Sequence, residues 1–123
     1  MKVMKILLVD DDALVRDMYE TKFTEAGDTV VVAETAAKAL SRLDEGLVDV
    51  VVMDMIMPGM TGVELIKAVH GHHNGAEAKC IVLSNQGDED KIAEAKSAGA
   101  AGYIIKAELI PSEVVTKVHE LAT

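Results

Sequence analysis

Asp10, Asp11 and Asp12 stand together after an apolar run, and Asp54, Ser84 and Lys106 each close another such run further along the chain. Carboxylates brought to one place repel one another unless a cation sits among them, and their hard oxygens suit Mg²⁺. That ion keeps several waters and takes only one or two carboxylates directly, which leaves room for a phosphoryl oxygen. A carboxylate so placed is a nucleophile as well as a ligand, and its product is an aspartyl phosphate. Catalysis of such a transfer is positioning plus neutralisation of the phosphoryl oxygens, work that a metal, Ser84 and Lys106 can share. Taken singly, each residue is ordinary: an Asp after a strand caps helices, and a lone Lys or Ser is a solvated loop residue. The chemistry rests on their convergence.

The elements that must bring them together are legible as apolar runs. Residues 6–9, 30–33, 48–53, 80–83 and 103–105 are short, mostly β-branched and too continuously apolar to be half-exposed, as in parallel strands covered on both faces. Helical spacing fills the gaps. Val15, Met18, Tyr19, Phe23 and Ala26 form one inward face before Gly27, and Ala36, Ala39, Leu40 and Leu43 another, capped by Thr35. Leu65, Ile66 and Val69 mark a third helix. Ile92, Ala95 and Ala98 mark a fourth, beginning near Asp88 with acidic residues in its first turn. Val114, Val118 and Leu121 belong to a fifth that opens at Pro111. Five strands alternating with five helices give an open doubly wound α/β sheet, since a closed barrel needs about 250 residues. Ligands of such sheets bind beyond the carboxyl ends of the strands, where the acidic triplet, Asp54, Ser84 and Lys106 all arrive.

Composition narrows the function. The 123 residues favour one domain over 1–123, without a fused output module. Acidic residues outnumber basic ones 21 to 12, and a net charge of −9 repels nucleic-acid backbones and anionic membranes. Tyr19, Phe23 and Tyr103 are the only aromatics, too few for base-stacking platforms. Cys80 is the single cysteine, placed in an apolar run, and reads as a buried thiol in a reducing, cytoplasmic setting. The opening apolar run stops at Asp10, short of a signal peptide or a membrane span.

The segment Val51-Val52-Met53-Asp54-Met55-Ile56-Met57-Pro58-Gly59-Met60-Thr61-Gly62-Val63-Glu64 resembles the phosphoacceptor strand and following loop of response-regulator receiver domains of two-component signalling. Lys5 to Asp12 is similar to that family's acidic opening, and Ala101 to Lys106 resembles its last strand. The likeness covers essentially the whole chain, which is similar to the single-domain chemotaxis type. It implies a flavodoxin-like (βα)5 fold with strand order 2-1-3-4-5. It makes Asp54 the phosphorylation site, Asp11 a direct Mg²⁺ ligand, Asp10 a ligand acting largely through water, and the Ile56 backbone carbonyl the remaining protein ligand, with Mn²⁺ a substitute ion. Ser84 takes the switch-hydroxyl position, Lys106 that of the phosphoryl-pairing lysine, and Tyr103 that of the aromatic switch.

The resemblance further implies a sensor histidine kinase or a histidine phosphotransfer protein as donor, and a downstream protein as target. Ser84 and Lys106 would close on the phosphoryl group, Tyr103 would turn inward, and the fourth helix, fifth strand and fifth helix would form the output surface. The expected state is a monomer, with dimerisation through that surface on phosphorylation. Ile56 and Gln86 hold positions that tune dephosphorylation in the family. Two departures stand out. Ala107 follows Lys106 where the family usually has Pro, so a trans bond is expected, because a non-proline cis bond costs about 3 to 4 kcal/mol. The segment 107–111 is also about one residue longer than usual, with Leu109 and Ile110 able to make an apolar contact.

Other readings of the same residues are weaker. His70, His72 and His73 are close enough to suggest Zn²⁺ or Ni²⁺, yet their glycines and polarity suit a mobile loop ending the third helix. His119 is expected to be a solvated residue of the fifth helix, and Met53, Met55 and Met57 to be packing. Asp10-x-Asp12 after a strand resembles haloacid-dehalogenase-like phosphatases, which would leave the segment around Asp54 without a role. A receiver fold that signals without phosphate is the third alternative, motivated by the altered loop after Lys106.

Overall fold

In the computed structural model, residues 3–85 and 87–123 are described, so Gln86 lies outside the described residues. The chain runs β1 (Lys5–Val9), α1 (Ala13–Glu25), β2 (Thr29–Ala33), α2 (Ala36–Asp44), β3 (Val50–Met53), β4 (Ile56–Met57), β5 (Met60–Thr61), α3 (Gly62–His70), β6 (Lys79–Ser84), α4 (Glu89–Ala98), β7 (Gly102–Ile105), a 3-10 turn (Lys106–Glu108) and α5 (Pro111–Ala122). Five strands pair in parallel in the order β2-β1-β3-β6-β7. Without the small hairpin, that is the expected order 2-1-3-4-5.

Strand periodicity of two divides the sheet's side chains between two cores. Leu7, Val9, Val51, Met53, Cys80 and Val82 face α2, α3 and α4, against Ala39, Leu43, Leu65, Ile66 and Ala95. Ile6, Leu8, Val50, Val52, Ile81 and Leu83 face α1 and α5, against Tyr19, Phe23, Val114 and Val118. Each fully buried Val, Leu or Ile adds about 1.5–3 kcal/mol of transfer free energy, so the continuous apolar runs are held in place by both layers. Cys80 is fully buried, and burial pushes its thiol up to about 12. Helix starts follow the expected signals: Thr35 caps α2, Asp88 caps α4 and Pro111 stands in the first turn of α5.

The structure corrects several expectations. Residues 56–61 fold as the antiparallel hairpin β4–β5, whose two-residue strands are too short to show any period. Its turn holds Gly59 at φ +85°, a left-handed conformation that side chains disfavour. Met18 points outward, 39 % exposed, because α1 buries only Tyr19 and Phe23 fully. His119 is not solvated: it is 4 % exposed and Nε2 lies 2.6 Å from Asp28 Oδ2, a partner 91 residues away. Asp28 Oδ1 also accepts from the Met4 amide at 3.2 Å, while His119 Nδ1 is buried with no hydrogen-bond partner among the described residues.

The three neighbouring histidines diverge. His70 Nε2 lies 3.1 Å from the Ala78 carbonyl, His72 Nε2 lies 2.7 Å from Asp44 Oδ1, and exposed His73 stacks on His72. Asn74 Nδ2 donates to the Leu43 carbonyl at 2.7 Å, which ties this loop to the end of α2.

Gly62 fixes the hairpin beside Asp54. A Cβ there would stand 2.8 Å from Met55 Cα and 3.1 Å from the Asp54 carbonyl. Gly62→Ala is therefore expected to destabilise the fold by roughly 1–3 kcal/mol, as overpacking does, read as a lower urea midpoint. An unchanged midpoint would show that the hairpin yields without cost.

Candidate functional site

β1, β3, β6 and β7 end at one edge of the sheet, and each delivers one polar residue there. Asp10 follows β1, Asp54 follows β3, Ser84 ends β6 and Lys106 follows β7. Parallel pairing aligns these ends, because Val9 is level with Met53, Met53 with Val82, and Ser84 with Ile105. A residue just past each strand therefore faces the same space.

Lys106 is the centre of the arrangement. Its Nζ lies 3.0 Å from Asp10 Oδ2 and 3.5 Å from Asp54 Oδ2, and all three side chains are mostly shielded from water. Burial by itself disfavours the ammonium, but the Asp10 carboxylate and, next, that of Asp54 outweigh it and raise the Lys106 pKa above its ordinary value. The carboxylates are also held from the backbone. Asp10 Oδ1 accepts from the Asp12 amide at 2.9 Å, and Asp54 Oδ1 from the Ile56 amide at 3.2 Å. The Asp10 carbonyl accepts from Arg16 Nη1 at 2.8 Å. Arg16 is a site neighbour that no local pattern announces, since it lies a turn into α1 and bonds a main-chain atom.

Asp11 and Asp12 stand apart from this pair. Asp11 is exposed at the rim. Asp12 caps α1, its Oδ1 accepting from Leu14 and Val15 at 3.0 and 3.2 Å, so it is engaged in starting the helix rather than poised as an acid or base. Among the described residues, no group of three or more His, Cys, Asp or Glu side chains is gathered to hold a metal by itself.

Ser84 is buried and Tyr103 half-buried, and the serine hydroxyl lies close enough to act on the phenol. Burial pushes the Tyr103 phenol up, Ser84 pulls it back, and Asp54 and Asp88 add to the rise. Tyr103 also packs on the α2–α3–α4 core. Tyr19 lies close enough to Lys106 and Asp10 to feel both charges, although burial is the main reason its pKa is raised. Its helical spacing marked it only as core. The Ile56 side chain is 53 % exposed, beside Asp54.

A family model described as response regulator receiver domain matches residues 6–119. The chain is 35 % identical over 104 residues, 84 % of either chain, to chemotaxis protein CheY of Pseudomonas aeruginosa. It is 34 % identical over 119 residues to chemotaxis protein CheY of Thermotoga maritima, covering 96 % of this chain and 97 % of that one. Among solved structures, chemotaxis protein CheY4 of Vibrio cholerae aligns with a TM-score of 0.90 at 28 % identity, over 98 % of this chain and 99 % of that one.

Proposed function

The chain belongs to the response regulator receiver domain family and is CheY-like, and we propose that it accepts a phosphoryl group on Asp54 from a histidine kinase or histidine phosphotransfer protein. The observation that carries this reading is the Lys106 ammonium shared between Asp10 and Asp54 at the carboxyl edge of the sheet. An ammonium lodged between two carboxylates marks a place whose charge calls for cations. The oxygen donors of Asp10, Asp11, Asp54 and the Ile56 carbonyl are of the hard kind that Mg²⁺ takes, and Mn²⁺ is the natural substitute. Bound there, the ion would neutralise phosphoryl oxygens during transfer.

In the proposed reaction an Asp54 oxygen bonds phosphorus as the phosphorus–nitrogen bond of the donor's phosphohistidine breaks, and the imidazole leaves. Lys106 then exchanges its Asp54 contact for the phosphoryl group, a charge-assisted hydrogen bond stronger than a neutral one. The Ser84 hydroxyl turns toward the new acceptor, which frees space for the Tyr103 ring to repack inward. The output surface is α4, β7 and α5, and its occupancy follows the shift between the two packings. Dimerisation through that surface would follow phosphorylation, and the unphosphorylated chain would be a monomer. The proposed setting is the cytoplasm; no helix among the described residues is long and apolar enough to cross a membrane. The protein would be a signalling domain over 1–123, catalysing only its own phosphorylation and dephosphorylation.

The test is intact mass after incubation with Mg²⁺ and acetyl phosphate, for the wild type and Asp54→Asn. A hydroxylamine-labile phosphoryl adduct on the wild type alone is expected. Absence of the adduct, in a protein that still binds fluoroberyllate, would favour the phosphate-independent interaction module.

A further inference from the structure

The residue that carries the phosphoryl-pairing ammonium has an unusual local support. β7 ends at Ile105, Lys106 opens a 3-10 turn that lasts only to Glu108, and the chain then straightens at Leu109, φ −133° and ψ 142°. Ala107 and Glu108 are exposed, so the turn has no apolar anchor of its own. Leu109 is partly buried and packs against the core between the sheet, α1 and α5. Tyr19, which senses the Lys106 charge, belongs to that same core. Directly after Leu109, Ile110 is 61 % exposed, and its amide is fixed by Glu113 Oε1 at 3.0 Å in the first turn of α5.

We infer that Leu109 is a positioning residue for phosphoryl transfer, an apolar plug that fixes the turn and thereby sets the Lys106 ammonium between Asp10 and Asp54. Lys106 has two constraints, its head on the carboxylates and its backbone on this turn. With the plug removed, residues 107–109 are held only from their ends, by β7 and the Lys106 head on one side and by the Glu113 contact to Ile110 on the other. A displacement of about 1 Å at a reacting group lowers rates by up to about a hundred-fold. Leu109 packs on the α1–α5 side of the sheet, and its proposed action on the transfer is through Lys106. Pro111, with φ fixed by its ring, marks where α5 takes over, so the slack that Leu109 removes is confined to this turn.

This inference rests on the proposed phosphorylation of Asp54, and the experiment separates the two. Initial rates of adduct formation from acetyl phosphate are measured for wild type, Leu109→Ala, Leu109→Met, Lys106→Met and the double variant Leu109→Ala/Lys106→Met. Leu109→Ala is expected to lose about ten-fold or more, Leu109→Met to recover most of it, and the double variant to be no slower than Lys106→Met alone. Independent, multiplying losses in the double variant would overturn the inference, because they would show that Leu109 acts elsewhere.

A second readout needs no phosphoryl transfer. Carbodiimide coupling joins an ammonium and a carboxylate in contact with loss of water, and peptide mapping measures the Lys106–Asp10 and Lys106–Asp54 links. Leu109→Ala is expected to lower their yield several-fold, with an unchanged circular dichroism spectrum. Equal yields would overturn the role of Leu109, whereas a wild type that couples normally but takes no phosphoryl group would overturn the proposed reaction alone.

Discussion

Lys106→Met is expected to slow phosphoryl uptake from acetyl phosphate by roughly two to three orders of magnitude, the usual loss when one preorganised donor to developing charge is removed. The methionine keeps the length and apolar stem of the side chain, so the loss isolates the ammonium. Removing it also leaves Asp10 and Asp54 without the cation 3.0 and 3.5 Å away. The variant is therefore expected to be less stable than wild type in the absence of divalent ions and to regain more stability than wild type when Mg²⁺ is added, read by urea denaturation. The pH dependence has a definite sign. The pKa of Lys106 is raised in the folded state, so its stabilising contribution is complete below the ordinary lysine value of 10.5 and is lost as pH climbs through the folded value. Alkaline destabilisation should thus be weaker in Lys106→Met. A variant rate within two-fold of wild type would remove Lys106 from the proposed mechanism.

His119→Ala is expected to cost about 1–3 kcal/mol, as when a buried hydrogen-bonding group is left without its partner. The Asp28 carboxyl is fully shielded and, among the described residues, would retain the Met4 amide alone. Asp28→Asn keeps the shape and an acceptor for Met4, so its cost should be smaller. The pair lies where β1 and β2 begin, at the edge opposite Asp54, and joins that edge to α5. Initial phosphorylation rates of the folded variant should therefore match wild type. Equal urea midpoints for His119→Ala and wild type would show that the pair contributes nothing net to the fold.

These two sites differ in how far the sequence announced them. Val and Ile runs covered by amphipathic helices state a parallel sheet, and the polar residues that close those runs state which edge to inspect. Asp10, Asp54, Ser84 and Lys106 could be brought to one edge without coordinates, because parallel register leaves little choice. What distance decides was not legible. Nothing local links His119 to Asp28, and His in a helix of mixed character reads as solvated until the α1–β2 turn is placed beneath it. Arg16 reaches a main-chain carbonyl, which has no sequence signature. Capping is an ordinary reading for an Asp after a strand, but only the helix geometry shows that Asp12 is the one of the triplet that caps α1. The hairpin β4–β5 hides because two-residue strands have no period, while Met18 shows that helical spacing marks a face without fixing its width.

The lone thiol has a practical corollary. Cys80 is walled in on β6 and its pKa is pushed up to about 12, so alkylating reagents at neutral pH meet almost no thiolate. A cysteine introduced on the surface, for instance at exposed Ser97 on α4 or Thr116 on α5, would then be the one readily alkylated thiol in the molecule. Since the chain has no Trp to compete optically, a single dye at either place would report movement of the helices flanking β7 in real time, from an otherwise native background and without first deleting the buried cysteine.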